Sequence, residues 1–421
     1  MASLKPFCAI YYNKKKIKDF SKVMSPPYDV ISEEMQTALH NLSPYNFTHL
    51  DFAKDRANDT ASDNKYTRAK ASFEEWLKKG ALLQDETEAV YLYKQDYKVM
   101  GQKHSRLGFI GLLELENENE SKVYPHENTH KNAVDDRFQL TKALNAYLSC
   151  IFVCYADRQR KVEKIFNKHV MSEEPMIDLI DDDGVHHRLW RLDDPKLIKE
   201  IKESVEGQNL FIADGHHRYQ MAQEYRKMRA ERKNNVTGQE PFNYVMTYFT
   251  NLDSKDLQIF PMHRIVKTFP DDIEFLEEYF RIDKVKTKEE LLILLAKAGI
   301  NEHAFGLYTK QGIRLLRLKN KLLIDQLVQK GSPDYKSLDA TILKAFIFDQ
   351  IGIKSDQIMY TKDMNDVTQQ VDYHQAAAGF IMNPVKIQQL KQIALNGERM
   401  PPKTTYFYPK VLSGLTVYKM D

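Results

Sequence analysis

A group of polar residues stands between an apolar stretch and a helix-like stretch, at Asp214-Gly215-His216-His217-Arg218. Glycine lets the backbone turn tightly and approach a ligand closely, and N–H groups at a helix start attract anions. Arg218 adds a planar guanidinium suited to phosphate, and the imidazoles and carboxylate can transfer protons or bind a metal. The pattern predicts a nucleotide-phosphate site. The alternative is a capped helix whose histidines only form hydrogen bonds.

A second group of polar residues follows a proline, at Tyr124-Pro125-His126-Glu127, with Asp135-Asp136-Arg137 close behind. Pro125 favours an extended or turn backbone, so we expect His126 and Glu127 in an exposed loop. A glutamate there can act as a base towards a substrate hydroxyl, and the aspartates could hold a divalent cation that bridges phosphates. The alternative is a solvated acidic loop that caps a helix starting at Asp135.

Two further segments combine cations with hydroxyl or imidazole groups. Lys403, Thr404 and Thr405 follow a stiff Met400-Pro401-Pro402 segment, and a lysine beside hydroxyls can bind phosphate or carboxylate. A proline-stiffened edge strand is the alternative there. The pair His263-Arg264 stands at a strand end, where it would either line a pocket or lie on the surface.

Strands and helices that alternate along the chain must position these residues, which predicts a mixed α/β fold. The elements next to the candidate residues are a helix over Asp135–Leu148, strands over Ser149–Tyr155, His187–Leu192 and Asn209–Ala213, a helix over His216–Arg232, and a strand over Phe242–Thr250. We expect the strand with the His186-His187-Arg188 triplet on the surface, because no glycine turn or helix follows the triplet. After residue 265, predicted helices over Asp271–Tyr279 and Lys288–Ala298, together rich in lysine, glutamate and leucine, indicate a boundary, which gives domains 1–265 and 266–421.

The composition indicates a cytoplasmic protein. With 421 residues, the chain is too long for one ordinary core. Its 61 basic and 59 acidic residues nearly cancel, so no overall field favours nucleic acid. Three cysteines suit a reducing compartment, and we expect neither a secretory signal at Met1–Pro6 nor a membrane span.

The Asp214–Arg218 turn resembles that of the ParB–sulfiredoxin superfamily, which places a glycine-containing, arginine-ending turn at a helix start to bind nucleotide phosphates. Sulfiredoxins have a cysteine where this chain has His216, so sulfinic-acid reduction is not expected. The sequence contains no helix-turn-helix of the kind that ParB proteins use on DNA. The closest functional match is the free-serine kinases, with an aspartate-glycine-x-histidine-arginine turn and an upstream catalytic glutamate.

Over nearly its full length, the chain resembles the prokaryotic family DUF1015. The matching blocks are Pro26–Ser32, His126-Glu127, Asp136-Arg137, Ala213–Arg218, Pro261–Arg264 and Met400–Lys410. Asn128 stands where an arginine is expected and Cys150 where a proline is expected, which would weaken phosphate contacts near residue 128.

The resemblances imply a ParB/sulfiredoxin-like core with an N-terminal elaboration, and an additional C-terminal α/β subdomain whose tail packs back on the core. They imply a small-molecule kinase that uses ATP or ADP with Mg²⁺ and phosphorylates a free hydroxyl, L-serine being the first candidate. The implied roles are catalysis by Glu127, Asp214 and His217; phosphate binding by Gly215, His216, Arg218, His126, Arg137 and Lys403; substrate binding by Thr404, Thr405, His263 and Arg264; and Mg²⁺ binding by Asp136 and Asp214.

Two other functions stay open at this point. One is a nucleotide switch, in which CTP or ATP changes a conformation without phosphorylating a metabolite; it predicts a homodimer whose stability changes with nucleotide. The other is a metal-dependent hydrolase with His126, His216 and His217 as ligands. The expected partners in every case are a nucleotide and a small molecule, with neither nucleic acid nor membrane.

Overall fold

The computed structural model describes residues 3–117, 121–233 and 236–420, which form two compact units. Unit 1 comprises Met1–Pro125, Thr129–Leu257 and Pro409–Asp421, and unit 2 comprises His126–Asn128 and Gln258–Tyr408. Strands alternate with helices in both units, which confirms the mixed α/β class. The division into domains 1–265 and 266–421 stays a prediction, because a compact unit is not by itself a domain that folds alone.

Unit 1 contains a nine-stranded sheet. The strands of unit 1 before residue 258 are β1 (Leu4–Lys5), β2 (Ile10–Tyr12), β3 (Leu82–Gln84), β4 (Val90–Val99), β5 (Gln102–Glu114), β6 (Val123–Tyr124), β7 (Ala146–Tyr147), β8 (Ile151–Tyr155), β9 (Ile177–Ile180), β10 (His186–Leu192), β11 (Leu210–Asp214) and β12 (Tyr244–Asn251). Strands β2 and β3 form a separate pair, and β7 also lies outside the nine-stranded sheet. The strand order is β6-β11-β8-β12-β5-β4-β10-β9, and β1 pairs with β5. Strands β8 and β12 run parallel, whereas β11 is antiparallel to β8. All five residues of β8 are buried, as the apolar run predicts for a central strand.

Seven helices surround these strands. They are α1 (Glu33–Leu42), α2 (Thr48–Asp51), α3 (Lys65–Lys78), α4 (Lys131–Leu144), α5 (Lys161–His169), α6 (Pro195–Val205) and α7 (His216–Glu231). Helix α7 buries Met221, Ala222 and Tyr225 on the apolar stripe that its sequence predicts. Helix α4 packs against α7, so the two helices that carry the unit 1 candidate residues are neighbours.

Unit 2 contains a six-stranded sheet in the order β15-β17-β16-β19-β14-β18 and a separate pair formed by β13 and β20. The strands are β13 (Gln258–Phe260), β14 (His263–Val266), β15 (Phe280–Val285), β16 (Ala304–Thr309), β17 (Gly312–Leu318), β18 (Ile358–Thr361), β19 (Ala378–Ile381) and β20 (Tyr406–Tyr408). The helices are α8 (Lys288–Ala298), α9 (Leu323–Leu327), α10 (Pro333–Lys336), α11 (Asp339–Leu343), α12 (Met364–Asp372) and α13 (Ile387–Leu395). The last strand of the chain, β21 (Tyr418–Lys419), belongs to unit 1, where it pairs with β7.

Several predicted elements need correction. The helix expected over Asp135–Leu148 begins at Lys131 and ends at Leu144, because Asn145 adopts a left-handed conformation. Asp135 and Asp136 therefore lie inside α4, and the acidic loop that caps a helix at Asp135 is wrong. The helix expected over Asp271–Tyr279 is only a 3₁₀ segment at Glu274–Glu278. The strand expected over Phe242–Thr250 starts two residues later, because a 3₁₀ turn occupies Pro241–Asn243.

The structure also tests the predictions about the surface strand and about membrane-spanning helices. His187 is fully buried, so the prediction of a surface strand is wrong at that residue. A search of residues 3–117, 121–233 and 236–420 finds no helix with the length and apolar character that crossing a membrane requires. Met1 and Ala2, which belong to the segment tested for a secretory signal, lie outside the described residues.

Candidate functional site

The predicted phosphate site is a strand–helix junction, as its sequence indicates. Strand β11 ends at Asp214, Gly215 has φ +87°, and α7 begins at His216. A positive φ of this kind strains residues that have a Cβ, which explains the glycine. No side chain caps α7 among the described residues, so the amino end of the helix is not closed by a serine, threonine or aspartate cap.

Arg218 is a buried cation that folds back over the junction. Its Nη2 donates to Asp214 Oδ2 at 2.8 Å, and its Nη1 donates to the carbonyl of Cys150. A Cβ on Gly215 would lie 3.1 Å from Arg218 Nε, so the glycine also makes room for the guanidinium. Within the described residues, Nε is buried and has no hydrogen-bond partner. Arg218 therefore keeps one donor for a further acceptor.

Asp214 is held between two cations. Its Oδ1 accepts from Lys410 Nζ at 2.6 Å, on the side opposite its contact with Arg218. Burial alone would raise the pKa of Asp214, but the charges of Lys410 and Arg218 hold it well below its usual range. We call Asp214–Arg218 together with Lys410 the phosphate site, after the ligand that the sequence predicts for it. Two cations thus meet one carboxylate at the start of a helix.

Lys410 is a site residue that the sequence analysis missed. It belongs to the C-terminal block that carries the family resemblance, but no role was assigned to it. The residues next to Lys410 in the sequence do not indicate that it pairs with Asp214, which lies 196 residues away in the chain. Only the return of Pro409–Asp421 to unit 1 brings it to Asp214.

The two histidines of the junction differ in exposure. His216 is 6% exposed, and its charge contributes to the lowered pKa of Asp214. The His217 ring is partly exposed and stacks on the ring of His130, with centroids 5.8 Å apart. His217 is therefore the more accessible of the two histidines, and His216 is packed inside the protein.

Asp136 and Arg137 form a second buried ionic group in unit 1. Arg137 Nη1 lies 3.0 Å from Asp51 Oδ1, its Nη2 lies 2.5 Å from Asp136 Oδ2, and its guanidinium lies 4.0 Å from the ring of Tyr28. Burial works to raise the pKa of Asp136, but Arg137 and Lys65 lower it to about 2. Asp136 thus acts as the counter-charge of Arg137 and Lys65.

Arg137 and Arg218 line the same small cavity in unit 1. Its volume is about 20 Å³, and Asp51, Arg137, Tyr147 and Arg218 are among its lining residues. A space of this size holds one water molecule. The fold thus brings Arg137 close to the phosphate site, although Asp51 and Asp136 already neutralise its charge.

In unit 2, His126 and Glu127 lie beside the Met400–Thr405 segment. Met400 N donates to the His126 carbonyl at 2.7 Å, and Glu127 and Met400 form a parallel β-bridge. His126 Nε2 lies 3.1 Å from Thr405 Oγ1. His126 is fully buried and Glu127 is half-buried, so the expected exposed loop is wrong, because this bridge covers the segment.

The other C-terminal candidates of unit 2 have different surroundings. Lys403 is exposed and has φ +54°. Thr404 is buried, and its hydroxyl donates to the carbonyl of Pro401 at 2.5 Å. The Thr404 hydroxyl therefore stabilises the turn, whereas Lys403 points to solvent.

His263 and Arg264 are both buried, so the surface alternative is wrong for this pair. His263 Nδ1 accepts from Met382 N at 3.1 Å, and burial lowers the pKa of His263 to about 4. Arg264 donates to the Met262 carbonyl and lies 5.7 Å from the ring of Tyr360. Burial lowers its pKa to about 10, and no carboxylate of the described residues pairs with it.

A family model described as "Protein of unknown function (DUF1015)" matches residues 4–341. The chain belongs to the DUF1015 family. No curated protein matches this DUF1015 protein.

Three solved structures show a distant likeness to this DUF1015 protein. A conserved hypothetical protein from Pyrococcus furiosus is 15% identical, covers 70% of this chain and 92% of its own, and has a TM-score of 0.35. A free serine kinase in complex with AMP is 15% identical, with coverages of 68% and 83% and a TM-score of 0.35. SbnI from Staphylococcus aureus, with a C-terminal truncation, is 9% identical, with coverages of 73% and 87% and a TM-score of 0.37. These scores are too low to assign a function to the DUF1015 protein.

A metal site built from side chains is not present within residues 3–117, 121–233 and 236–420 of the DUF1015 protein. No group of three histidine, cysteine, aspartate or glutamate residues there could hold a metal ion. The hydrolase hypothesis, which needs His126, His216 and His217 as joint ligands, therefore has no cluster to support it.

If this junction binds nucleotide phosphate, as its sequence predicts, Gly215→Ala is expected to weaken ADP binding by about 10-fold, because the new methyl group meets the Arg218 guanidinium and the backbone must keep a positive φ. Isothermal calorimetry with ADP measures the effect. Gly184→Ala is the matched control, because Gly184 has φ +75° with nothing within 4 Å of its Cβ position. Equal ADP affinity in the two variants would contradict a phosphate site at Gly215.

Proposed function

We propose that this DUF1015 protein is a small-molecule kinase that transfers a phosphoryl group from ATP or ADP to a free hydroxyl, with L-serine as the first acceptor to test. One observation carries the proposal: Arg218 and Lys410 converge on Asp214 beside the left-handed Gly215, at the start of α7. This arrangement is of the kind that binds polyphosphate.

The charges of the phosphate site support an anionic ligand with several oxygens. Arg218 and Lys410 both pair with Asp214, and the helix dipole adds positive potential at the same point. Arg218 Nε is a buried donor without a protein partner in the described chain, and a phosphate oxygen would satisfy it. Cations held in place in this way are also suited to the charge that develops during phosphoryl transfer.

Asp214 has a more specific role in this proposal than sequence reasoning gave it. It holds Arg218 and Lys410 by hydrogen bonds of 2.8 and 2.6 Å, so both cations keep their positions before a ligand arrives. His217, whose ring is partly exposed, is proposed to orient the phosphates, and His216 and Gly215 to contribute backbone N–H groups. Arg137, His126 and Lys403 stay predicted phosphate contacts.

The chemical step in this proposal needs an acceptor oxygen and a base. The acceptor hydroxyl oxygen attacks the terminal phosphorus of the nucleotide, the bond from that phosphorus to the bridging oxygen breaks, and the shortened nucleotide leaves with the bond electrons. Glu127 is proposed to take the hydroxyl proton. Thr405, which lies next to His126, and the buried His263 and Arg264 stay predicted substrate contacts, as does Thr404.

Mg²⁺ does not fit the two carboxylates predicted to bind it. Asp214 is neutralised by Lys410 and Arg218, and Asp136 accepts from Lys65 Nζ and Tyr66 Oη at 2.9 Å each, besides Arg137. A cation at either carboxylate would have to displace two positive side chains. We therefore assign no step to Mg²⁺ and include it in the assay only as the usual companion of nucleotides.

The test is to incubate the protein with Mg²⁺, ATP or ADP and L-serine, and to look for phosphoserine by mass spectrometry. We expect phosphoserine with L-serine and no phosphorylated product with L-alanine, which lacks the hydroxyl. Nucleotide binding without product from any hydroxy amino acid would overturn the kinase and favour the nucleotide switch, especially if CTP or ATP changes the stability of a homodimer. Absence of nucleotide binding would refute both.

A further inference from the structure

Three polar side chains form a row across the interior of the unit 1 sheet. His187 on β10 is in register with Gln95 on β4, and Gln95 is in register with Arg106 on β5. Side chains in register on neighbouring strands share one face of the sheet. All three residues are 0% exposed. Buried polar groups are costly unless they form hydrogen bonds, so their partners indicate why the row is there.

The partners of this row are main-chain groups of the segment that carries Lys410. Gln95 Nε2 donates to the Lys410 carbonyl at 2.8 Å, and Arg106 Nη2 donates to the Pro409 carbonyl at 2.5 Å. Two fully buried side chains therefore hold two consecutive carbonyls. The two carbonyls flank the Lys410 Cα, so the backbone is fixed on both sides of that residue.

The orientation of the Gln95 amide follows from its neighbour. Arg106 Nε lies 3.0 Å from Gln95 Oε1, and a guanidinium has only donors. The oxygen of the amide must face Arg106, so its NH₂ group must face the Lys410 carbonyl. Arg106 thus sets the direction in which Gln95 donates.

Tyr93 and Asp181 provide the partners of His187 at the end of the row. Tyr93 Oη donates to His187 Nδ1 at 2.5 Å, and His187 Nε2 donates to Asp181 Oδ2 at 2.9 Å. These donors and acceptors are consistent with a neutral His187. The row therefore anchors the segment at Pro409 and Lys410.

We propose that Gln95 and Arg106 are positioning residues that set Lys410 against Asp214 and thereby complete the phosphate site, a role that rests on the proposed function. A lysine side chain is long and flexible, so the place of its backbone decides whether its ammonium group reaches Asp214. Apolar residues in the row would leave the Pro409 and Lys410 carbonyls without these donors. They would also release the backbone that carries the ammonium group.

Gln95→Glu separates positioning from folding. The glutamate keeps an oxygen for Arg106 and stays ionised beside that cation, but it cannot donate to the Lys410 carbonyl. Thr250→Val is the matched control, because the buried Thr250 hydroxyl donates to the Leu107 carbonyl in the same sheet at 2.6 Å, away from Lys410. Both variants lose a hydrogen bond from a buried side chain to a carbonyl, and Gln95→Glu also loses the 3.5 Å contact of Gln95 Nε2 with His187 Nδ1.

Two measurements test the proposal on the full chain. The first is the rate at which acetic anhydride labels Lys410, read by mass spectrometry with the exposed Lys403 as internal reference. The second is the affinity for ADP. In Gln95→Glu we expect Lys410 labelling to rise about 5-fold and the ADP Kd to rise about 10-fold. In Thr250→Val we expect neither to change.

The outcomes separate this proposal from the kinase. Unchanged Lys410 labelling in Gln95→Glu, or an equal rise in Thr250→Val, would overturn the positioning role whatever the protein binds. Faster labelling in a protein that does not bind ADP would keep the positioning of Lys410 and refute the nucleotide site. Faster labelling with unchanged ADP affinity would overturn the link between Gln95 and the phosphate site.

Discussion

Replacing Glu127 with glutamine is expected to lower phosphoserine formation by about 100- to 10,000-fold, the usual contribution of a general base. Glutamine has nearly the same shape but cannot accept the hydroxyl proton. The fold should be kept, because the bridge to Met400 and the 2.7 Å bond from Met400 N to the His126 carbonyl are main-chain contacts that the substitution leaves in place. The affinity for ADP is expected to change by less than about 2-fold, because the phosphate site lies in other residues.

Single-turnover rates with L-serine and calorimetry with ADP measure the two quantities separately. Glu302→Gln is a suitable control, because Glu302 is a unit 2 carboxylate whose described ion pair is with Arg317, at 2.9 Å. A rate for Glu127→Gln within about threefold of the wild type would place the base elsewhere, since a lost base costs far more. A fall in ADP affinity as large as the fall in rate would show a structural effect instead.

The strand–helix junction could be predicted because its signals are local. Apolar residues up to Ala213, a glycine at 215 and a periodic stripe after His216 fix the strand, the turn and the helix within a short stretch. The structure confirms β11 and α7 to within one residue at each end. Local signals did not reveal Lys410, because its partner Asp214 is 196 residues away in the chain.

Buried polar residues were the main source of error. The sequence predicts a surface strand for His187 and an exposed loop for His126, and it leaves a surface position open for His263, since polar residues are most often exposed. Each of these histidines is buried beside a group that is distant in the sequence: Tyr93 for His187, Thr405 for His126, and the backbone N–H of Met382 for His263. Alternating patterns show which face of a strand is apolar, but they do not show a partner that arrives from a remote segment.

The position of Asp136 illustrates a related limit. The sequence Asp135-Asp136-Arg137 suggested a metal site or a cap, both of which need exposed carboxylates. Helix α4 instead starts four residues earlier, at Lys131, and brings Asp136 to Lys65 and Tyr66 of α3. Ion pairs between helices depend on packing, which a single sequence does not specify.

Replacing Asp214 with asparagine is expected to lower the free energy of unfolding at pH 7 by about 3–5 kcal/mol, because it removes the carboxylate that pairs with the buried Arg218 and the mostly buried Lys410. The amide keeps the shape of the side chain, so the loss comes from charge. Urea unfolding at pH 7 measures it. Asp193→Asn is the control, because its pair with Arg191 is exposed and should be worth less than about 1 kcal/mol.

The same substitution should change the response to acid. The folded pKa of Asp214 is lowered, so its contribution is complete above the unfolded value of about 3.9 and is lost as the pH falls below that value towards the folded pKa. The wild type should therefore lose its advantage over Asp214→Asn progressively below about pH 4. A stability difference that stays constant from pH 7 down to pH 2.5 would mean that the charge of Asp214 does not hold Arg218 and Lys410. Other interactions would then have to hold these two cations in the phosphate site.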